Sequence, residues 1–178
     1  MRMSLKNLTY IGVCTALLCV LAPLTIPIGA VPISLSVFAV FVISGILKKE
    51  QAVVCCLLYL FLGSIGLPVF AGFRSGVGIL MGPTGGYLLS YPIMALIIGF
   101  FLELFRSKKI FSLIVSFLAA LLFCYLLGTL WFSIAMNREF FSSLAITVLP
   151  FIGFDLMKRA VAVIVVNRMD KILKLSYV

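Results

Sequence analysis

Three charged residues interrupt the last long apolar run of the chain, LPFIGFDLMKRAVAVIVV, residues 149–166. They are Asp155, Lys158 and Arg159, and spacings of three and four residues place both cations on the helix face of the acid. If the run spans a membrane, each charge at its centre costs roughly 2.5–3.5 kcal/mol on insertion scales. Asp155 balances one cation and leaves the other in surplus. A polar site inside a helix bundle is therefore favoured over an ion pair that only holds helices together.

A second candidate segment is GLPVFAGFRSGVGILMGPTGGYL, residues 66–88, which holds seven of the 14 glycines. Most of its other residues are apolar, unlike those of a flexible Gly/Ser linker. Non-helical backbone at membrane depth is tolerated only where it is buried in protein or lines a cavity, and glycine permits tight turns. We expect an apolar loop that covers a ligand; a loop that only plugs the bundle is the alternative. Pro83 precedes the next helix, and Thr84 is its predicted N-cap.

The elements that must position these residues are predicted to be membrane helices. The 178-residue chain is 64% hydrophobic and 11% charged, whereas a soluble domain has about a quarter charged residues. This composition predicts an all-α integral membrane protein with a single transmembrane domain, residues 1–178. Each apolar run approaches the ~20 residues that cross hydrocarbon as a helix. The six predicted spans are 8–28, 32–47, 51–70, 85–105, 110–136 and 144–167.

The basic residues predict how these spans are oriented. Only Arg74 and Arg138 flank them on one side. Ten basic residues flank them on the other: Arg2, Lys6, Lys48, Lys49, Arg106, Lys108, Lys109, Arg168, Lys171 and Lys174. The positive-inside rule then predicts both termini in the cytoplasm and the glycine-rich loop, between spans 3 and 4, facing outward. Asp155 would lie beneath that loop, where Arg74 adds a cation. Such a pocket suits a small, mostly apolar anion with hydrogen-bonding groups.

Several function classes are disfavoured by what the sequence contains. There is no histidine, and the five cysteines lie in apolar runs without metal-ligand spacing, so we expect no metal and no cofactor. The net charge of +9 comes mainly from residues flanking the spans, so nucleic-acid binding is not indicated. An intramembrane enzyme would need a nucleophile, a base or a metal, and Ser90 and Thr84 have no evident base. A ligand-free structural subunit stays open, but it leaves the surplus cation and the glycine-rich loop unexplained.

Three stretches in this order resemble the BioY family, the biotin-binding S components of energy-coupling factor transporters. They are GLPVF (66–70), GPTGGYL (82–88) and PFIGFDLMK (150–158), and VPISL (31–35) fits the start of the family's second span. The resemblance implies a six-helix S-component fold in the cell membrane, with biotin bound near the outer face. It also implies uptake that depends on a separate coupling subunit and two ATPases. An S component for a different vitamin is the alternative.

The resemblance also implies which residues meet the ligand. Asp155 and Lys158 match the family's acidic and basic positions on the last helix, where a carboxylate can accept the ureido N–H groups and an ammonium can serve the carbonyl. We expect Arg74 to bind the valerate carboxylate, with Arg159 as the alternative; Phe73-Arg74 departs from the family's usual Gly-Gly pattern. The remaining expected contacts are Tyr87, Phe70, Thr84, Gly82 and Gly86.

Gly12 and Ala16 form a small-xxx-small pair on the first predicted span. Such pairs allow two membrane helices to approach closely. In the resembling family, a small-residue motif on this helix meets the transmembrane coupling subunit. Ordinary close packing within this chain is the alternative for this pair.

Overall fold

The computed structural model describes residues 5–26, 32–105 and 109–173. The described part of the chain is mostly helical, as its composition predicts, with one short hairpin. In chain order the elements are α1 (Leu5–Leu21), β1 (Thr25–Ile26), β2 (Ile33–Ser34), α2 (Ser36–Ile46), α3 (Lys49–Ser64), α4 (Val77–Met81), α5 (Gly85–Leu104), α6 (Lys109–Ala135), α7 (Phe140–Thr147) and α8 (Ile152–Leu173).

Length and composition qualify some of these helices as membrane spans. Among the described residues, α5 and α6 are each long and apolar enough to cross a membrane. Helices α7 and α8 are apolar enough only when taken together, and the bend of 58° between them fits either a broken span or a re-entrant loop. Helices α1 and α2 are shorter apolar helices. The six-span count therefore stays a prediction.

Three helices in the first half of the chain differ from the predicted spans, and one of them, α3, ends at Ser64 rather than at residue 70. The run 8–28 is helical only to Leu21, because Pro23 lacks the N–H that a continuing helix would use. The apolar residues that follow form an antiparallel hairpin, in which Thr25 pairs with Ser34 and Ile26 with Ile33. The run 32–47 accordingly becomes helical only at Ser36 and supplies the 11 residues of α2.

The last predicted span, 144–167, is divided by the break between α7 and α8. Pro150 stands in this break, where a proline cannot supply the N–H of a continuous helix. Other parts of the predictions lie outside the described residues: residues 27–31, Arg2, Arg106, Lys108, Lys174 and the side chain of Lys109. The predicted orientation rests partly on these basic residues.

The helices form a bundle in which α5 packs against α6, α3 and α2, while α2 also packs against α8, and α1 against α3. Glycine permits the closest of these approaches. A Cβ atom added to Gly86 on α5 would overlap the side chain of Trp131 on α6, and one added to Gly128 on α6 would overlap the ring of Tyr87. The core includes the stacked rings of Phe41 and Phe117, whose centroids are 4.8 Å apart.

The glycine-rich segment between α3 and α5 is compact and tied to neighbouring elements. The Phe70 N–H donates to the Arg74 carbonyl at 2.9 Å, and the Gly76 N–H donates to the Gly63 carbonyl at 2.7 Å. The φ angles of Gly66, Gly72 and Gly76 are +111°, +70° and +95°, a region that glycine adopts at little cost. These glycines fold the segment back onto the end of α3, and the short helix α4 completes it.

Candidate functional site

A carboxylate bound by two donors forms the polar centre of the bundle. Asp155 lies in the first turn of α8 and is only 5% exposed. The Lys158 ammonium, one turn further on, donates to its Oδ1 at 2.9 Å. The hydroxyl of Tyr125, on α6, donates to its Oδ2 at 2.6 Å. Both carboxylate oxygens therefore have a partner within the protein.

A cavity of about 60 Å³, measured as volume open to the centre of a water molecule, adjoins this carboxylate. Asp155 and Lys158 lie at its wall together with Tyr125 and with Thr147, the last residue of α7. Because the break between α7 and α8 ends the helix there, Thr147 and Phe151 both reach the wall. The strand β2 and helix α5 complete the cavity.

A second cavity, of about 90 Å³ on the same measure, contains Arg74 and Thr84 in its wall. The two cavities adjoin, because four residues line both: Pro32, Ser34, Tyr87 and Tyr91. Together they form a region with a carboxylate and an ammonium at one end and a guanidinium at the other. Aromatic rings lie between these charged ends, so the region matches a ligand that is apolar in the middle and polar at both ends.

Hydrogen bonds and close packing hold the two shared tyrosines in place. Tyr91 is buried, and its hydroxyl is 2.6 Å from the Ser36 hydroxyl. The Tyr87 ring lies over Gly128, and its hydroxyl is 3.4 Å from that of Thr129. The four-residue spacing of the tyrosines on α5 places both on one face. Neither Tyr91 nor Tyr125 was among the residues predicted from the sequence, although this spacing was a signal that could have identified Tyr91.

The loop residues that were expected to contact the ligand have different surroundings. Thr84 lines the second cavity and is the N-cap residue of α5, as predicted, but its side chain makes no capping hydrogen bond to the helix. Its φ and ψ of −92° and −3° are helical, whereas a capping side chain normally requires extended backbone. Phe70 is fully buried, packs edge-on against Tyr59 with centroids 5.5 Å apart, and lines neither cavity.

Both glycines that were expected to contact the ligand pack against protein and line neither cavity. The Gly82 carbonyl accepts a hydrogen bond from the Trp131 indole N–H at 2.9 Å. Gly86 packs against the same tryptophan. Neither glycine lines the two cavities, so in this structure both position the start of α5 against α6.

The two arginines considered for the ligand carboxylate differ in position. Arg74 lines the second cavity and is exposed. Arg159 lines neither cavity, and its Nη1 is buried without a hydrogen-bond partner among the described residues. The geometry therefore favours Arg74.

The small residues of α1 lie outside the packed core. Gly12 and Ala16 are both exposed, and a Cβ atom added to Gly12 would meet nothing within 4 Å in the described part of the chain. Close packing within this chain therefore does not explain the pair. In the same described residues, no three His, Cys, Asp or Glu side chains are grouped so that they could hold a metal ion.

Comparison with known proteins gives one consistent result. The model of the BioY family matches residues 1–175. The biotin transporter BioY2 of Lactococcus lactis is 38% identical over 86% of this chain and 84% of its own length. The biotin transporter BioY of Thermotoga maritima is 36% identical over 94% of this chain and 98% of its own. A crystal structure of the S-component for biotin from an ECF-type ABC transporter matches with a TM-score of 0.87 and 33% identity, over 96% of this chain and 95% of that one. The chain therefore belongs to the BioY family.

Proposed function

We propose that this chain is the substrate-binding membrane subunit for biotin uptake in an energy-coupling factor transporter. The observation that carries the proposal is the tyrosine-walled region with Asp155 and Lys158 at one end and Arg74 at the other. The names of the relatives and of the solved S-component support biotin as the ligand. They describe transporters rather than enzymes, and the apolar helices agree with a multi-pass membrane protein.

The chemistry of biotin fits the two ends of this region. Its ureido ring offers two N–H donors and one carbonyl acceptor. Each oxygen of Asp155 already accepts one hydrogen bond, but a carboxylate has about four lone-pair sites and can accept more. Lys158 has three N–H donors, one of which is used on Asp155, so the ligand carbonyl can take another.

The rest of biotin fits the walls and the opposite end. The fused rings are mainly apolar and would pack against Tyr87 and Tyr91. The valerate chain would lead towards Arg74, whose planar guanidinium can donate two parallel hydrogen bonds to a carboxylate. Thr84 can add a hydroxyl at that end, whereas Phe70, Gly82 and Gly86 would act by supporting the walls.

Transport itself would draw on other subunits. In this proposal, residues 1–178 form one six-span domain of the cell membrane, with both termini in the cytoplasm and the glycine-rich segment facing outward. A coupling subunit and two ATPases supply the energy. The exposed Gly12 and Ala16 on α1 offer that coupling subunit a surface for close helix packing.

Direct ligand binding tests the proposal. The chain would be purified in detergent and titrated with biotin by calorimetry, with thiamine and riboflavin as controls. Tight binding of one biotin per chain supports the proposal. If the chain binds another vitamin and not biotin, the proposed ligand is wrong, but the chain is still a substrate-binding subunit. Silence for all three with well-folded protein would favour a ligand-free structural subunit.

A further inference from the structure

The carboxylate of Asp155 is held from two different helices. Lys158, on the same helix, donates to Oδ1 at 2.9 Å, and Tyr125, on α6, donates to Oδ2 at 2.6 Å. The terminal torsion of an aspartate is broad and poorly defined by the side chain itself. One donor on each oxygen, approaching from separate helices, fixes the plane of the carboxylate. The lone pairs left over then have a fixed direction.

The Tyr125 hydroxyl uses its proton to hold this carboxylate. Its single proton is used on Asp155, so the hydroxyl keeps only acceptor sites for a ligand. A hydrogen bond from a hydroxyl to a carboxylate is charge-assisted and among the stronger kinds. No other described side chain donates to Oδ2, since Lys158 donates to Oδ1. Loss of the hydroxyl would therefore free the carboxylate to rotate towards Lys158.

We propose that Tyr125 is a positioning residue that aims the Asp155 carboxylate at the two ureido N–H groups of the ligand. The inference rests on the proposed function and adds a residue to it that acts through Asp155. A rotated carboxylate would still pair with Lys158, but only one of its oxygens would be positioned to accept a hydrogen bond from the cyclic urea. Tyr125 thus determines how well the site distinguishes a cyclic urea from a ligand with a single donor.

A double-mutant cycle on biotin affinity tests this role. The variants are Tyr125→Phe, Asp155→Asn and their combination, titrated by calorimetry, with competition titration for the weaker binders. Tyr125→Phe is expected to weaken biotin binding about tenfold, the equivalent of one strong hydrogen bond. In the Asp155→Asn background the same change should cost less than about twofold, because the carboxylate that Tyr125 positions is gone.

Tyr10→Phe is the matched control. Tyr10 lies on α1, is 47% exposed and lines neither cavity, so removal of its hydroxyl should leave biotin affinity unchanged. Thermal unfolding in detergent checks that each variant is folded. If Tyr125→Phe is not recovered in folded form, Tyr125→Met removes the same hydroxyl with a side chain that adapts to irregular space, and the same expectations apply.

The two ends of the ligand supply a second measurement. Tyr125→Phe should weaken biotin and biotin methyl ester by the same factor, because its effect lies at the ureido end. Unchanged biotin affinity in Tyr125→Phe, additive losses in the double variant, or a loss confined to the free acid would each overturn the positioning role. Those results leave the proposed function standing if the wild-type chain binds biotin. Failure of the wild-type chain and of Tyr10→Phe to bind biotin would overturn both.

Discussion

Single substitutions in the charged pair on α8 should change ligand affinity directly. Asp155→Asn replaces a charged acceptor by an amide and leaves Lys158 without its ion-pair partner. We expect biotin affinity to fall at least about tenfold, since hydrogen bonds to charged groups are roughly twice as strong as neutral ones. Lys158→Ala should act similarly, because it removes the donor to Asp155. Calorimetric titration of folded variants measures both effects, and unchanged affinity in Asp155→Asn would remove this carboxylate from the site.

Arg74 can be tested by changing the ligand together with the protein. Arg74→Ala should weaken binding of biotin about tenfold or more, because the loss of a charge-assisted pair costs about 1.5–3 kcal/mol. Binding of biotin methyl ester, which lacks the carboxylate charge, should fall much less. Arg138→Ala is the matched control, since Arg138 is exposed and lines neither cavity. Equal losses for both ligands would contradict this role and favour Arg159.

The residues of the candidate site could be predicted only in part. Asp155 and Lys158 could be predicted as site residues because charges in an apolar membrane helix are costly and usually mark a functional site. Tyr125 was not, because it lies 30 residues before Asp155, and nothing local marks the hydrogen bond between them. Phe70 was expected to contact the ligand because its ring would suit the apolar rings of biotin. In the structure the missing side chain of Gly63 makes room for its ring inside the protein, which is a tertiary effect.

At the scale of elements, close packing of α5 on α6 depends on Gly86. A methyl group there would overlap Trp131 and would lie 3.0 Å from the Leu127 carbonyl oxygen, which belongs to the backbone and cannot move alone. We expect Gly86→Ala to destabilise the protein by about 1–3 kcal/mol, as overpacked cores do. Thermal unfolding in detergent measures this as a lower Tm.

Gly153→Ala is the control for this prediction. Gly153 also lies in a helix, α8, but a Cβ atom added there meets no described residue within 4 Å. Alanine is a better helix former than glycine, so the Tm of this variant should be unchanged or higher. A Gly86→Ala variant that is as stable as the wild type would show that α5 and α6 can separate at no cost.

Hydropathy predicted the bounds of α5 and α6 better than those of the helices at the beginning of the chain. The runs that became α5 and α6 are long and uninterrupted, so their helices agree with the predicted spans within a few residues. The helix predicted over residues 8–28 is wrong beyond Leu21, because hydropathy measures how favourably side chains transfer into lipid and does not measure backbone conformation. An apolar hairpin such as β1–β2 scores like an apolar helix. Pro23 and Pro150 were the local signals of the two breaks.

At the scale of the whole molecule, the ligand region and the exposed face of α1 have no described residue in common. The ligand region is built from β2, α2, α3, the segment between α3 and α5, and α5 to α8. Gly12 and Ala16 lie on α1, are exposed, and line neither cavity of the ligand region. Ligand binding and subunit association should therefore be separable by mutation, which a ligand-free structural subunit would not allow.

Gly12→Leu is the test of this separation. Gly12 is exposed, and a Cβ atom added there meets no described residue within 4 Å, so biotin affinity should stay within about twofold of wild type, the range typical of surface substitutions. The same leucine would hold a partner helix away, because close membrane-helix contacts depend on small residues. Co-purification with the coupling subunit should fall markedly, while Val13→Leu, an exposed position on the same helix, should retain it. Lost biotin binding with intact association would reverse the assignment and make this face part of the chain's own packing.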